Sequence, residues 1–134
     1  MRLMLDTNIC IALIKQKPAA VLKRFNDFQV GDICISSVTL AELRYGVAKS
    51  QFQEKNQAAL DDFILPLEIM VFDESAASYY GALRASLEKK GTPIGAMDLM
   101  IGAHALSQNL TIVTNNVREF NRIPNLVVVD WFND

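Results

Sequence analysis

Apolar positions fall along this chain in two alternating patterns, short unbroken runs and helical stripes, and the alternation predicts an architecture. Leu3-Met4-Leu5 is too short for a helix and suits a buried strand. Ile33-Cys34-Ile35, Leu67 to Phe72, Thr111-Ile112-Val113 and Leu126 to Val129 read the same way. Between them, Ile9 to Ile14 forms a buried helical stretch that Thr7 or Asn8 can cap. Pro18 opens a second helix, with Val21, Leu22, Phe25 and Phe28 on one side, and Gly31-Asp32 turns the chain. Ser37 is placed to cap a helix from Val38 to about Lys49, apolar on most of its circumference. Gln51 to about Leu65 is a more polar helix. Asp73 reads as the N-cap of a helix that runs to Lys89-Lys90 and stops at Gly91. After a loop at Thr92 to Gly95, Ala96 to Leu106 is a helix apolar nearly all round. About five strands thus alternate with helices, without an internal repeat or linker. The expectation is one domain over residues 1–134, a three-layer α/β/α fold around a central, mainly parallel sheet.

Composition narrows the class without naming a partner. Hydrophobic residues make up 51% and charged residues 21%, which excludes a disordered chain. No apolar run approaches the roughly 20 residues of a membrane span, and the N-terminus lacks the basic-then-apolar layout of a signal peptide. A cytoplasmic protein with no membrane contact is expected, and Cys10 and Cys34, among apolar neighbours, read as reduced core thiols. The net charge of −2 argues against nucleic acid as a partner. Two divalent cations held by acids would reverse that to +2, leaving Lys15, Lys17, Lys23, Arg24, Lys49, Lys89, Lys90, Arg118 and Arg122 as a basic rim. Composition therefore neither supports nor excludes RNA.

The acids change the picture. Asp6 stops a strand abruptly, at the carboxyl end where open α/β sheets place ligands, and is either a helix cap or a site residue. Glu42 shares a narrow polar stripe with Thr39 and Gly46 on an otherwise apolar helix, so it emerges from a packed element. Asp98 opens the apolar helix on the side of Ile101, Gly102 and Ala105, where an unpaired carboxylate is costly. His104 lies about 120° round that helix from Asp98 and reads as a packing residue. Glu119 follows another strand end, either as a fourth carboxylate or as a surface glutamate. A parallel sheet would bring all four acids near one edge. Clustered carboxylates without a basic partner suit Mg²⁺ or Mn²⁺, and the matching chemistry is metal-assisted phosphodiester hydrolysis.

Leu5-Asp6-Thr7-Asn8, Ser36 to Leu43 with Tyr45-Gly46, Pro93 to Asp98, and Val113 to Phe120 together resemble the motifs of PIN-domain ribonucleases. In order and length they resemble, more closely, the VapC toxins of toxin–antitoxin modules. The resemblance covers essentially the whole chain. It implies that Asp6, Glu42 and Asp98 are core metal ligands, that Thr114 supports the site through its hydroxyl, and that Asn8 is a polar neighbour of the first acid. Many PIN domains carry an acid where this chain has Asn116, which leaves Asn116 a supporting residue; either Glu119 supplies the fourth ligand or the second metal is weak or absent. The resemblance further implies an Mg²⁺-dependent endoribonuclease, with Mn²⁺ as a possible substitute, cutting structured RNA such as the anticodon stem-loop of initiator tRNA. It implies a homodimer, a VapB-like antitoxin that inserts a basic side chain among the acids, and contact with operator DNA only through the antitoxin complex. Phe52, Phe63, Ile64 and Tyr80 add apolar surface that a dimer could cover.

Two other readings compete. A receiver-type phosphotransfer domain also gathers acids at strand ends, but Asn115-Asn116 stand where a lysine after the last long strand would be needed. A non-catalytic PIN scaffold that only binds RNA or protein is disfavoured by the joint presence of Asp6, Glu42 and Asp98.

Overall fold

The computed structural model describes residues 2–133. The chain begins β1 (Leu3–Leu5), α1 (Thr7–Lys15), α2 (Ala19–Asn26), β2 (Ile33–Ser36), α3 (Ser37–Ala48) and α4 (Gln53–Ile64). It continues β3 (Glu68–Met70), α5 (Glu74–Lys89), α6 (Ala96–Ser107), β4 (Thr111–Val113), α7 (Val117–Phe120) and β5 (Val128–Val129). The sheet has the order β3-β2-β1-β4-β5, and every neighbouring pair is parallel. Two of the sequence-predicted strands are shorter than expected: Leu67 to Phe72 pairs only over β3, and Leu126 to Val129 only over β5. Both lie at sheet edges, where one side has no partner strand. The order also separates this fold from the receiver type, whose sheet runs 2-1-3-4-5.

Strand alternation sorts the core into two layers. Leu3, Leu5, Ile33, Ile35 and Val113 face one side and pack with Ile9, Leu13, Val21, Leu43 and Leu60 from the first four helices. Met4, Cys34 and Ile112 face the other side and meet Leu87, Leu99, Ile101, Ala105 and Phe120 from α5, α6 and α7. The central strands are buried on both faces, which is why they read as unbroken apolar runs. Trp131 of the tail is fully buried against the first layer, stacked on Phe28 and edge-on to Phe25. Cys10 and Cys34 are both buried and free, and burial pushes both thiols up. No described helix is long and apolar enough to cross a membrane.

Two capping assignments shift by one residue. Asp6, for which the sequence left cap and site both open, caps α1 in place of Thr7 or Asn8, accepting from the Ile9 amide at 2.9 Å. Ser36, not Ser37, caps α3 through the Val38 amide, while the Ser37 hydroxyl accepts from the Phe72 amide beyond β3. Asp73 caps α5 through Ala76, and Gly91 takes positive φ just after the helix ends, both as predicted. The apolar surface expected of Phe63, Ile64 and Tyr80 is largely spent inside. The first two pack on one layer and Tyr80 on the other, and of the four residues named only Phe52 is exposed.

Gly102 sets the spacing of α6. A Cβ there would come well inside van der Waals contact with Ile123 Cδ1 and would also press on the Phe120 ring. Both neighbours are buried, so neither can swing into solvent. Gly102→Ala should therefore cost about 1–3 kcal/mol of stability through overpacking. Ile123→Val removes the obstructing methyl and should recover much of that loss in the double variant, read by thermal or urea unfolding. An unchanged midpoint for Gly102→Ala alone would show that the packing there is looser than described.

Candidate active site

The sheet changes direction between β1 and β4: from β1 the chain builds outward through β2 and β3, then returns to lay β4 on the other side. Ligands of open α/β sheets sit at that switch point, outside the carboxyl ends of the strands. Asp6 ends β1 and Thr114 ends β4. The backbone amide of Asp6 still donates to Val113 O at 3.0 Å, which fixes the residue to the sheet. One carboxylate oxygen caps α1, and the other accepts a hydrogen bond from the Thr114 hydroxyl. Asp6 is 2% exposed, and burial pushes its pKa up to about 6. The bonds from Thr114 and from the Ile9 and Asn8 amides oppose that rise, while the charge of Glu42 adds to it.

Asn8 is exposed and serves Asp6 through its backbone, with no side-chain hydrogen bond among the described residues. The side chain that does reach across is Thr7, whose hydroxyl donates to Glu42 Oε1 at 2.6 Å. Thr7 is the residue that sequence reasoning missed. Its position directly after the strand-end acid carried the signal, but a hydroxyl there reads first as a helix cap. Glu42 itself is half-buried on α3, as expected of an acid leaving a packed helix.

Asp98 lies in the first turn of α6, half-buried, and does not cap it; Gly95 is the N-cap without a side-chain bond. Burial raises its pKa to about 7, helped by a hydrogen bond to Glu119 and by the charges of Glu119, Asp6 and Glu42. Burial works to raise Glu119 too. Its hydrogen bonds with Asp98, Asn116 and the Gly95 amide outweigh that and hold it below the usual range. Asn116 joins the two acids: its Nδ2 donates to Glu119 Oε2 and to Asp98 Oδ2, the latter at 3.3 Å, and its amide donates to Thr114 Oγ1 at 2.9 Å. His104, by contrast, is fully buried away from the acids, bonded to Ser36 Oγ at 2.8 Å and edge-on to Phe72.

The charges of neighbouring acids thus add to the raised pKa values of Asp6 and Asp98, and among the described residues none of the four carboxylates is ion-paired. The donors are all oxygen, the chemistry of a hard divalent cation. Among the described residues no three acidic, His or Cys side chains stand close enough to hold an ion unaided. Mg²⁺ keeps several waters and takes one or two carboxylates directly, so it does not require such a cage. The residues fit a hydrated divalent metal and do not fit a closed cage.

Known proteins resemble this chain over nearly its whole length. Residues 3–126 match the family model of the PIN domain. The chain is 50% identical to the tRNA(fMet)-specific endonuclease VapC of Shigella flexneri over 131 residues, 98% of each chain. It is 48% identical to ribonuclease VapC2 of Rickettsia felis over 96% of each. Among solved structures, it superposes on a chain of DNA-bound VapBC from Salmonella typhimurium with a TM-score of 0.92 and 49% identity, covering 98% of both. From the motifs, the sheet order and these relatives together, the chain belongs to the PIN-domain family, among the VapC ribonucleases.

Proposed function

We propose that this chain is the toxin of a type II toxin–antitoxin pair, an Mg²⁺-dependent endoribonuclease whose active site is Asp6, Glu42, Asp98 and Glu119. The observation that carries the site assignment is the gathering of these four unpaired carboxylates at the β1/β4 switch point from four separate elements. They would hold one or two Mg²⁺ ions, which when bound activate the attacking water and neutralise charge developing on the phosphodiester. The chain's own residues prepare that arrangement. The Thr114 hydroxyl and the Ile9 amide fix both oxygens of Asp6, Thr7 orients Glu42, and Asn116 holds Asp98 and Glu119 side by side. The amide of Asn116 stands where many relatives of this fold carry an acid, and it brings Glu119 into the cluster instead.

Relatives at about half identity that are named for tRNA(fMet) support initiator tRNA as the substrate; cleavage in its anticodon stem-loop is what the family resemblance implies. The VapBC complexes support a VapB-like antitoxin as partner, with operator DNA reached through that complex. A groove of about 380 Å³ favours such a partner: Ile11, Ile14, Leu43, Val47 and Leu60 line it, and Glu42 stands at its edge. An amphipathic helix would fill it and bring an Arg or Lys to the acids. Homodimer assembly belongs to the same reading, and sedimentation across micromolar concentrations checks it.

The decisive experiment incubates the purified protein with total RNA, with Mg²⁺ or with EDTA, and maps new ends. Mg²⁺-dependent ends concentrated in one tRNA loop are expected; RNA intact at all metal concentrations would defeat the reading. Within it, Thr114→Val should slow cleavage by about 10–100-fold, the usual effect of losing a group that orients a metal-binding carboxylate. Thr114→Ser, which keeps the hydroxyl, should stay near wild type.

A further inference from the structure

Helix α3 carries a second feature beside its acid. At 100° per residue, Glu42, Tyr45, Gly46 and Lys49 fall on one stripe. Helical side chains lean toward the N-terminus, which brings the Tyr45 ring back over the turn of Glu42, and Lys49 back over Tyr45. The lysine contact is direct: its Nζ stands 4.9 Å from the ring centroid. Tyr45 is nevertheless 65% exposed, and among the described residues no other ring and no hydrogen-bond partner meets it. Gly46 is equally unexplained from inside. Glycine weakens a helix interior relative to alanine, yet a Cβ at this position would find no heavy atom within 4 Å. Nothing in the chain requires the glycine, and what it leaves is bare backbone on the groove that Glu42 lines.

An exposed ring, an ammonium on its face and bare backbone beside an acid suit an unpaired nucleotide, its base on the ring and its phosphate at the lysine. Three residues of helix advance about 4.5 Å, so Tyr45 sits one turn along α3 from the acid of the proposed metal site. A peptide helix seated in the apolar groove, which Gly46 lines, would leave the ring and the ammonium uncovered, because neither Tyr45 nor Lys49 lines it. Resting on the ribonuclease reading, we infer that Tyr45, backed by Lys49, is a stacking platform for an unpaired base next to the scissile phosphate. It directs cleavage to loops and away from duplex.

Fluorescence anisotropy tests this with a short labelled single-stranded RNA and the same strand in duplex, in Mg²⁺, on the Asp98→Asn background so that RNA is not consumed. Adding Tyr45→Ala should weaken single-strand binding about tenfold and leave duplex binding unchanged. Tyr45→Phe should bind like the parent, since the ring suffices. Lys49→Ala should reduce the slope of log affinity against log salt by about 0.7. In the otherwise wild-type protein, Tyr45→Ala should raise KM for tRNA with kcat held. A folded Tyr45→Ala that binds single-stranded RNA like its parent, loses duplex equally, or loses only the antitoxin overturns the platform. If wild type cleaves while Tyr45→Ala keeps its KM, the platform alone falls; if wild type cleaves no RNA, the ribonuclease reading falls and takes the platform with it.

Discussion

Asp6→Asn and Asp98→Asn should each reduce RNA cleavage by on the order of a hundredfold or more with the fold intact. Each swap removes one charge from the proposed metal site and keeps the shape of the side chain. At position 6, an amide oxygen can still accept from the Ile9 amide, so the α1 cap survives, and the amide nitrogen can donate to the Thr114 hydroxyl. At position 98, an amide oxygen can still accept from Asn116, and its nitrogen can donate to Glu119. Both variants should therefore melt no lower than wild type in EDTA. Cleavage measured with excess Mg²⁺, beside circular dichroism, separates lost chemistry from lost structure. Wild-type turnover in either folded variant would remove that carboxylate from the active site. Glu119→Gln is the informative companion: a large loss would make it a ligand, and a small one would confine it to holding Asn116 and the Gly95 amide.

Why the acids were legible in the sequence and Thr7 and Gly95 were not follows from what each needs. Asp6, Glu42 and Asp98 stand out because charge interrupts an apolar strand, a packed helix and a buried helix turn, and burial of a lone carboxylate is expensive. Thr7 and Gly95 act through contacts between elements far apart in the chain, which no local pattern records. The caps failed by one residue for a related reason. Ser36-Ser37 offers two equivalent hydroxyls, and only the position of β3 decides that Ser37 serves Phe72 while Ser36 caps the helix. Asp6 defeats the choice between cap and site because its two oxygens face different ways. The central strands were plain because burial on both faces leaves an unbroken apolar run. The edge strands β3 and β5 were overdrawn because their apolar residues extend past the last paired position. The middle helices misled in the opposite sense: Phe63 and Ile64 looked surplus until Phe25 of a distant segment met Phe63 and the first core layer took up both.

The metal-free protein should lose stability as pH rises from about 4 to about 7, and Mg²⁺ should restore it. An aspartate whose folded pKa lies above its unfolded value favours the fold while protonated and loses that advantage as pH climbs through the folded value. Asp6 moves from 3.8 to about 6, chiefly by burial, and Asp98 to about 7, so the loss falls in that window. The Asp6 shift alone corresponds to about 3 kcal/mol at most. For a chain of this length that is a fall of roughly 10 °C in melting temperature. Divalent cation binds the folded state and needs the ionised acids, so saturating Mg²⁺ at a hundred times its Kd should return about 2.7 kcal/mol at neutral pH and little at pH 5. Asp6→Asn cannot ionise there, so it should flatten the EDTA profile and shrink the Mg²⁺ response together. Melting curves from pH 4.5 to 8, in EDTA and in Mg²⁺, read all of this. A wild-type profile flat in EDTA, or an equal Mg²⁺ shift in Asp6→Asn, would mean that the buried acid at the end of β1 is held by the fold for capping α1 and not for a metal.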